Sequence, residues 1–301
     1  MLALAARNGR FILVAGLFAG AGLPHLSSVI EPSVPYLVGA LLFLNAFRVG
    51  DRIWTSISLK PVRSVTLVAV LQLGFPLAAI GILAVTGLPL TGFFFAAVLM
   101  MSAPALSGSP NFVVMIGRDP TDAMRLLITG IALFPLTALV VLWILPEIEA
   151  TEAVIATIRL TVTILTLVFA GAMARWAGRS WKSDEALNLG CDGLSAILLF
   201  IVVIGLMSEV GPLVRTSPDV VLLWILLLLA LNTGLQLGSF LLFRKIRLTE
   251  VVSASVIAGN RNIALFLIAL PEETMQQAML FIGCYQIPMY LTPLIMKRIY
   301  R

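Results

Sequence analysis

Apolar residues run along this chain in blocks of about 20, without the alternation of half-buried strands or the narrow stripe of a half-solvated helix. Ten blocks can be drawn, at residues 11–29, 34–50, 62–86, 90–117, 121–145, 153–174, 186–208, 218–243, 250–270 and 274–296. Each is near the ~20 residues that a bilayer-spanning helix needs. The fourth and ninth are irregular. The fourth is interrupted around Ser107-Gly108-Ser109-Pro110-Asn111, the ninth at Gly259-Asn260-Arg261-Asn262. Gly and Asn are poor helix formers and Pro removes a backbone donor, so each site predicts two half-helices joined by unwound backbone. At membrane depth such backbone survives only when buried in protein or lining a polar cavity.

Composition agrees with the pattern. Hydrophobic residues make up 60% of the 301 residues and charged residues 12%, where soluble domains average about 45–50% and about 25%. Mean hydropathy is +1.05, so apolar content is spread over the chain. Arg7 and Arg10 precede an apolar run, but no clear small-residue cleavage site stands before Pro24, and the first block is expected to be a retained span. Cys191 and Cys284 lie in apolar blocks and suggest neither disulfide nor metal site. The single histidine, His25, excludes a His-rich centre. No cofactor is called for.

A net charge of +5 raises the question of an acidic partner such as nucleic acid. The distribution answers it. With ten spans, one side of the membrane collects Arg7, Arg10, Arg48, Arg52, Lys60, Arg63, Arg118, Arg125, Arg175, Arg179, Lys182, Arg244, Lys245, Arg247, Lys297, Arg298 and Arg301. The other side collects Arg215 alone, while Arg159 and Arg261 fall within spans. Glu31, Glu147, Glu149, Glu152, Glu209, Asp219, Glu272 and Glu273 take the opposite side. The positive-inside rule then places both termini in the cytoplasm of a multi-pass inner (plasma) membrane protein. The basic residues orient the chain, and no nucleic-acid role is expected.

Five spans followed by five spans predicts two repeats of inverted orientation, residues 1–150 and 151–301, the plan of many secondary transporters. The two breaks lie about half a chain apart, and a proline follows each in the next span, Pro135 and Pro288. Where two discontinuous helices meet near the midplane, freed backbone groups and helix-dipole ends can bind ions or anions. The candidate site is therefore Ser107, Ser109, Pro110 and Asn111 at the first break and Gly259, Asn260, Arg261 and Asn262 at the second. Gln72 and Thr129 join as mid-span polar residues, with Asn232, Gln236 and Gln286 behind them.

An intramembrane arginine is a functional-site hypothesis by default. Three readings stay open for Arg261: direct contact with an anionic substrate, a fixed cation holding two broken helices where another protein would bind a metal ion, or pairing with a helix carboxylate. Asp192, near the start of the seventh block, is the one acid more than two residues inside a block. Gln72 reads equally as an interhelical hydrogen bond, and Arg159, close to a helix end, as a snorkelling side chain. Paired carboxylates within a block, a His-Glu metal motif, a serine elbow and a phosphate loop are all missing, so an enzyme is disfavoured.

At these positions the sequence resembles the bile acid:sodium symporter family, within the wider group of bile acid, arsenite and auxin-efflux transporters. Pro104 to Asn111 with Ile116-Gly117-Arg118-Asp119 is similar to that family's Cys-Pro-Gly-Gly-x-x-Ser-Asn pattern and the Gly-Asp turn after it. Gln72 with Pro76 is similar to its Gln-x-x-x-Pro, and Ile257 to Asn262 occupies the place of its Glu-x-Gly-x-Gln-Asn. The resemblance implies a ten-helix all-α membrane protein in two parts: a panel of spans 1, 2, 6 and 7, and a core of spans 3, 4, 5, 8, 9 and 10 in which broken spans 4 and 9 cross. It also implies alternating-access transport of a small organic anion, from carboxylates to steroid- or terpenoid-like acids. Sodium sites in that family use the positions held here by Ile257 and Arg261. Ser109 matches, but Pro110 stands at the Asn position and Asn111 one place later. Losing a carboxylate and gaining a guanidinium argues against sodium there, and the expectation is a sodium-independent transporter. Relocated sodium sites, or a non-transporting receptor on the same fold, are the alternatives.

Overall fold

The computed structural model describes residues 2, 9–49, 60–178 and 184–300, without the side chains of residues 10, 49 and 184–186. Of the orienting cations, Arg7, Arg52, Arg179, Lys182 and Arg301 lie outside the described residues. Among the described residues the regular elements are all helical. The first are α1 (Gly9–Gly22), α2 (Pro24–Ile30) and, after a 3-10 turn, α3 (Val34–Val49). Next come α4 (Pro61–Ala69), a π-helical turn Val70–Gly74, α5 (Phe75–Thr86), α6 (Phe93–Ser102), α7 (Ser109–Ile116), α8 (Thr121–Ile144) and α9 (Ala150–Gly178). The chain continues with α10 (Asp184–Leu206), α11 (Val210–Thr216), α12 (Pro218–Lys245), α13 (Val251–Gly259), the 3-10 turn Ile263–Leu265, α14 (Phe266–Ala269) and α15 (Glu272–Met296).

Among the described residues seven helical stretches are long and apolar enough to cross a membrane: Pro24–Arg48, Pro61–Thr86, Thr121–Ile144, Ala150–Gly178, Leu187–Leu206, Pro218–Lys245 and Glu272–Met296. Their outward faces are apolar as well. On α9 the exposed side chains Ile155, Ile158, Val162, Leu165 and Phe169 follow one helical stripe, an arrangement that water would not tolerate over such an area. The chain is a multi-pass α-helical membrane protein.

One expected boundary moves. The block drawn at 11–29 is cut at Leu23, whose φ of −122° and ψ of 69° are not helical. A residue before proline is pushed out of the α region, and Pro24 then starts a new helix. The polar Glu31-Pro32-Ser33 makes a single 3-10 turn without ending the span, so Pro24–Arg48 runs on as one stretch.

α1 lies on α10, α10 on α3, α3 on α9 and α9 on α8. The backbones of α3 and α9 meet closely because a Cβ at Gly171 would stand 2.7 Å from the Phe43 carbonyl oxygen and 2.9 Å from the Phe47 nitrogen. Further on, α12 packs on α13 and α15, and α4 on α8; the half-helices α6 and α13 lie inside, while α7 leaves Asn111, Val114 and Met115 exposed. Phe95 to Ser102 in α6 and Ser253 to Gly259 in α13 are buried without a break, as expected of helices apolar on every side.

Candidate functional site

Both breaks form and meet, the first a few residues earlier than expected: residues 103–108 are unwound, and Ser109, Pro110 and Asn111 make the first turn of α7, where a proline is tolerated. α6 ends at Ala103, held extended at φ −65° and ψ 155° ahead of Pro104. α13 ends at Asn260, extended at φ −123° and ψ 92°. The two unwound strands then pair antiparallel through one bridge, Ala105 with Arg261. The Leu106 amide donates to the Asn260 carbonyl at 3.0 Å and the Asn262 amide to the Pro104 carbonyl at 2.9 Å. Each break thus satisfies the backbone groups that the other frees.

Arg261 is 1% exposed, and its recorded partners are carbonyl oxygens. One terminal nitrogen donates to Leu71 at 2.8 Å, the other to Ala103 at 3.1 Å, and Nε points at Ala258 at 3.5 Å. Each acceptor has a local cause. Ala258 lies in the last turn of α13 and Ala103 caps α6, so the guanidinium sits at the negative ends of both half-helix dipoles. Leu71 lies in the π turn, where the Phe75 amide reaches back to Val70. The next donor in that register would be residue 76, a proline, which has no N–H. Pro76 therefore leaves the Leu71 carbonyl open, and Arg261 fills it.

Tyr285 of α15 completes the knot. Its hydroxyl accepts the Arg261 backbone N–H at 3.0 Å and donates to the Gly259 carbonyl. The Asn232 amide donates to the same carbonyl. Gly259 has to be small: an added Cβ would lie 2.5 Å from Gln236 Cγ and 2.7 Å from the Asn232 carbonyl oxygen. Asn260 is fully buried; it donates to Val256 at 2.7 Å and accepts from Thr292 at 3.0 Å. Gln236 donates to Asn232 at 2.6 Å and to Thr292 at 3.1 Å. Gln286 bonds its own helix at Ile282.

The other candidates separate. Gln72 ties the π turn to α8, donating to Gly130 at 3.1 Å and accepting from Thr137 at 2.8 Å, so its interhelical reading holds. Ser107, near the end of the first break, accepts from Asn45 of α3 at 2.9 Å and ties the break to that helix. Asn262 is partly exposed and Asn111 exposed, on the first turn of α7. Pro110 is buried in that turn. The Ser109 and Thr129 hydroxyls are buried and have no hydrogen-bond partner among the described residues. Ile257 is buried among Leu67, Leu71, Leu126 and Leu127. Asp192 pairs with Arg48 at 2.9 Å.

A second polar cluster sits at the foot of α13, where sequence reasoning had assigned only orienting charges. Glu250, its side chain fully buried, takes Arg125 at 2.9 Å, Arg63 at 2.7 Å and the Thr249 hydroxyl at 2.8 Å; Asp122 takes Arg125 at 2.8 Å. Burial pushes the Glu250 carboxyl up, but Thr249, Arg125 and Arg63 outweigh it and hold it below the ordinary carboxylate range. The cluster pins the starts of α4, α8 and α13 together. Nearby, Gly117 takes a left-handed φ of 91° to end α7, and Asp119 accepts from the Thr121 amide and hydroxyl.

Asn45, Thr137, Tyr285 and Thr292 were not anticipated. Tyr285 and Thr137 carried a weak signal: a polar tip inside an apolar span has to find a partner. No protein-family model matches the chain, and no curated protein matches it significantly.

Proposed function

We propose that the chain is a secondary transporter of a small organic anion that works by alternating access without sodium, Arg261 standing where a coupling cation would bind. The crossing of the two breaks under the Arg261 guanidinium carries this reading. A mobile cation bound at such a crossing would meet carbonyl oxygens and the negative ends of two half-helices. A tethered guanidinium meets the same groups and cannot leave or practically deprotonate. Its enclosure by three carbonyls favours bracing over direct contact with substrate.

In this reading the long helices, the shorter α1 and the two broken segments make ten crossings, as two inverted repeats with both termini cytoplasmic. Helices α1, α2, α3, α9 and α10 form the panel and the remainder the core. Support comes from the half-chain spacing of the breaks and from Pro135 and Pro288, each inside the long helix that follows its break. The substrate binds at the seam, where Asn45, Ser107, Asn111 and Asn262 offer neutral donors beside the N-terminus of α7. The bile acid:sodium symporter resemblance fits the same arrangement. Uptake of carboxylates into proteoliposomes, with and without a sodium gradient, tests it. Sodium-dependent accumulation would overturn the sodium-free mechanism, and binding without translocation would favour a receptor.

A further inference from the structure

The lipid-facing side of α9 carries a charge that the transport reading does not use. Arg159 is exposed among Ile155, Ile158 and Val162, all apolar and outward-facing. It lies six residues inside the apolar block that begins at residue 153, about 9 Å along the axis at ~1.5 Å per residue, from where its long side chain reaches the headgroup layer. Its recorded bond is one long contact, 3.4 Å, to the Ala269 carbonyl at the end of α14. Between α9 and that end lies an open crevice of about 200 Å³, lined by Arg159, Glu152, Thr151, Ile155, Ala269 and Pro271. Glu152 is two helical turns above Arg159 on the same face, with one oxygen taken by the Thr274 hydroxyl at 2.9 Å.

From this arrangement we infer a binding site for an aminophospholipid of the surrounding leaflet. A guanidinium at this depth meets the phosphodiester of a lipid before it meets bulk water, and its planar fork suits a phosphate. In a phospholipid the phosphate lies nearer the acyl chains and the ammonium nearer water. That is the order of Arg159 and Glu152 along the helix. The crevice is smaller than the ~300–1,000 Å³ of an enclosed small-molecule pocket, but it suffices for a headgroup whose chains run down Ile158 and Val162. An N–H-bearing ammonium can hydrogen-bond the free oxygen of Glu152; a trimethylammonium cannot.

The site is independent of the transport mechanism and is tested on the purified full chain without transport. Delipidated protein is titrated with phosphatidylethanolamine, phosphatidylglycerol or phosphatidylcholine in detergent and read by native mass spectrometry and thermal shift. Phosphatidylethanolamine should be retained preferentially. Arg159→Ala should weaken its retention on the order of tenfold, and Glu152→Gln should abolish the preference over phosphatidylglycerol while phosphate-dependent retention persists. Arg159→Gln keeps the test open if the alanine variant unfolds. Equal retention of the three lipids, or unchanged retention in the Arg159 variants, would overturn the site. So would a full shift from O-phosphoethanolamine alone, which would assign the chemistry to a soluble ligand.

Discussion

The guanidinium of Arg261 donates to the carbonyl of Ala103, 158 residues earlier in the chain and 3.1 Å away. This bond joins the C-terminal end of one half-helix to a residue just past the end of the other. Arg261→Ala would strand the Ala103 and Leu71 carbonyls in a buried place, at about 1–3 kcal/mol each. We expect a fall in thermal unfolding temperature in detergent, with Arg261→Lys in between, since an ammonium lacks the fork that reaches both oxygens. If Arg261→Ala leaves stability unchanged and abolishes only uptake, the arginine serves substrate and not the crossing.

The two breaks were legible in the sequence because Gly, Asn and Pro disfavour helix wherever they stand. Their half-chain spacing further suggested that they meet. The acceptors of Arg261 were not legible. Leu71, Ala103 and Ala258 contribute main-chain oxygens, and any side chain could stand at those positions. Gln72 and Pro76 were visible as a pair, but not the π turn that makes the Leu71 carbonyl available. The Leu23–Pro24 cut follows from pre-proline sterics and was overridden in the reading by the length of the apolar block. Glu250, Arg63 and Arg125 look like ordinary charges at helix ends, and only folding reveals that they share one buried site.

Glu250→Gln removes the buried counter-charge of Arg125, which is 4% exposed, and leaves it only the more exposed Asp122 at 2.8 Å. Stripping one partner from a buried pair costs about 3–5 kcal/mol; with Asp122 still in place the loss should fall below that range, and a clear drop in melting temperature at pH 7 is expected. The sign of the pH effect follows from the direction of the shift. The folded state holds the Glu250 carboxyl below its unfolded value of about 4.3. Its contribution is therefore present above that value and lost as pH falls through the folded one. Melting curves from pH 7 down to pH 3 should show this loss in the wild type and a flatter acid limb in Glu250→Gln. Parallel limbs would remove Glu250 from the acid response.

Asn45 of α3 and Ser107 of the first break share one side-chain hydrogen bond of 2.9 Å. If the proposed panel and core move against each other during transport, this contact must open. Asn45→Cys with Ser107→Cys, in a chain whose Cys191 and Cys284 are replaced, should be locked by a short bis-methanethiosulfonate, which links the two thiols through reducible disulfides. Uptake should then fall to background and return on reduction. Full uptake by the cross-linked protein would show that the seam does not open.

Bracing by a tethered cation also makes a prediction in reverse. Arg261→Gln removes the charge but leaves the three carbonyls converging, and Ile257→Glu adds an acid one residue before Ala258, an Arg261 acceptor. Ile257 is 2% exposed, so the introduced carboxyl would be forced toward its neutral form unless a cation joined it. Sodium is small enough to bind among carbonyl oxygens and a carboxylate. The double variant should gain thermal stability in sodium chloride relative to choline chloride. At 100 times the dissociation constant the gain would be about 2.7 kcal/mol, and it should grow as pH rises and the carboxyl ionises. Choline controls for ionic strength, because it screens charge equally but does not fit the carbonyl cage. A monodisperse, cooperatively melting double variant with identical curves in the two salts would mean that the carbonyls around Arg261 do not form a cation site, and the bracing account would fail with it.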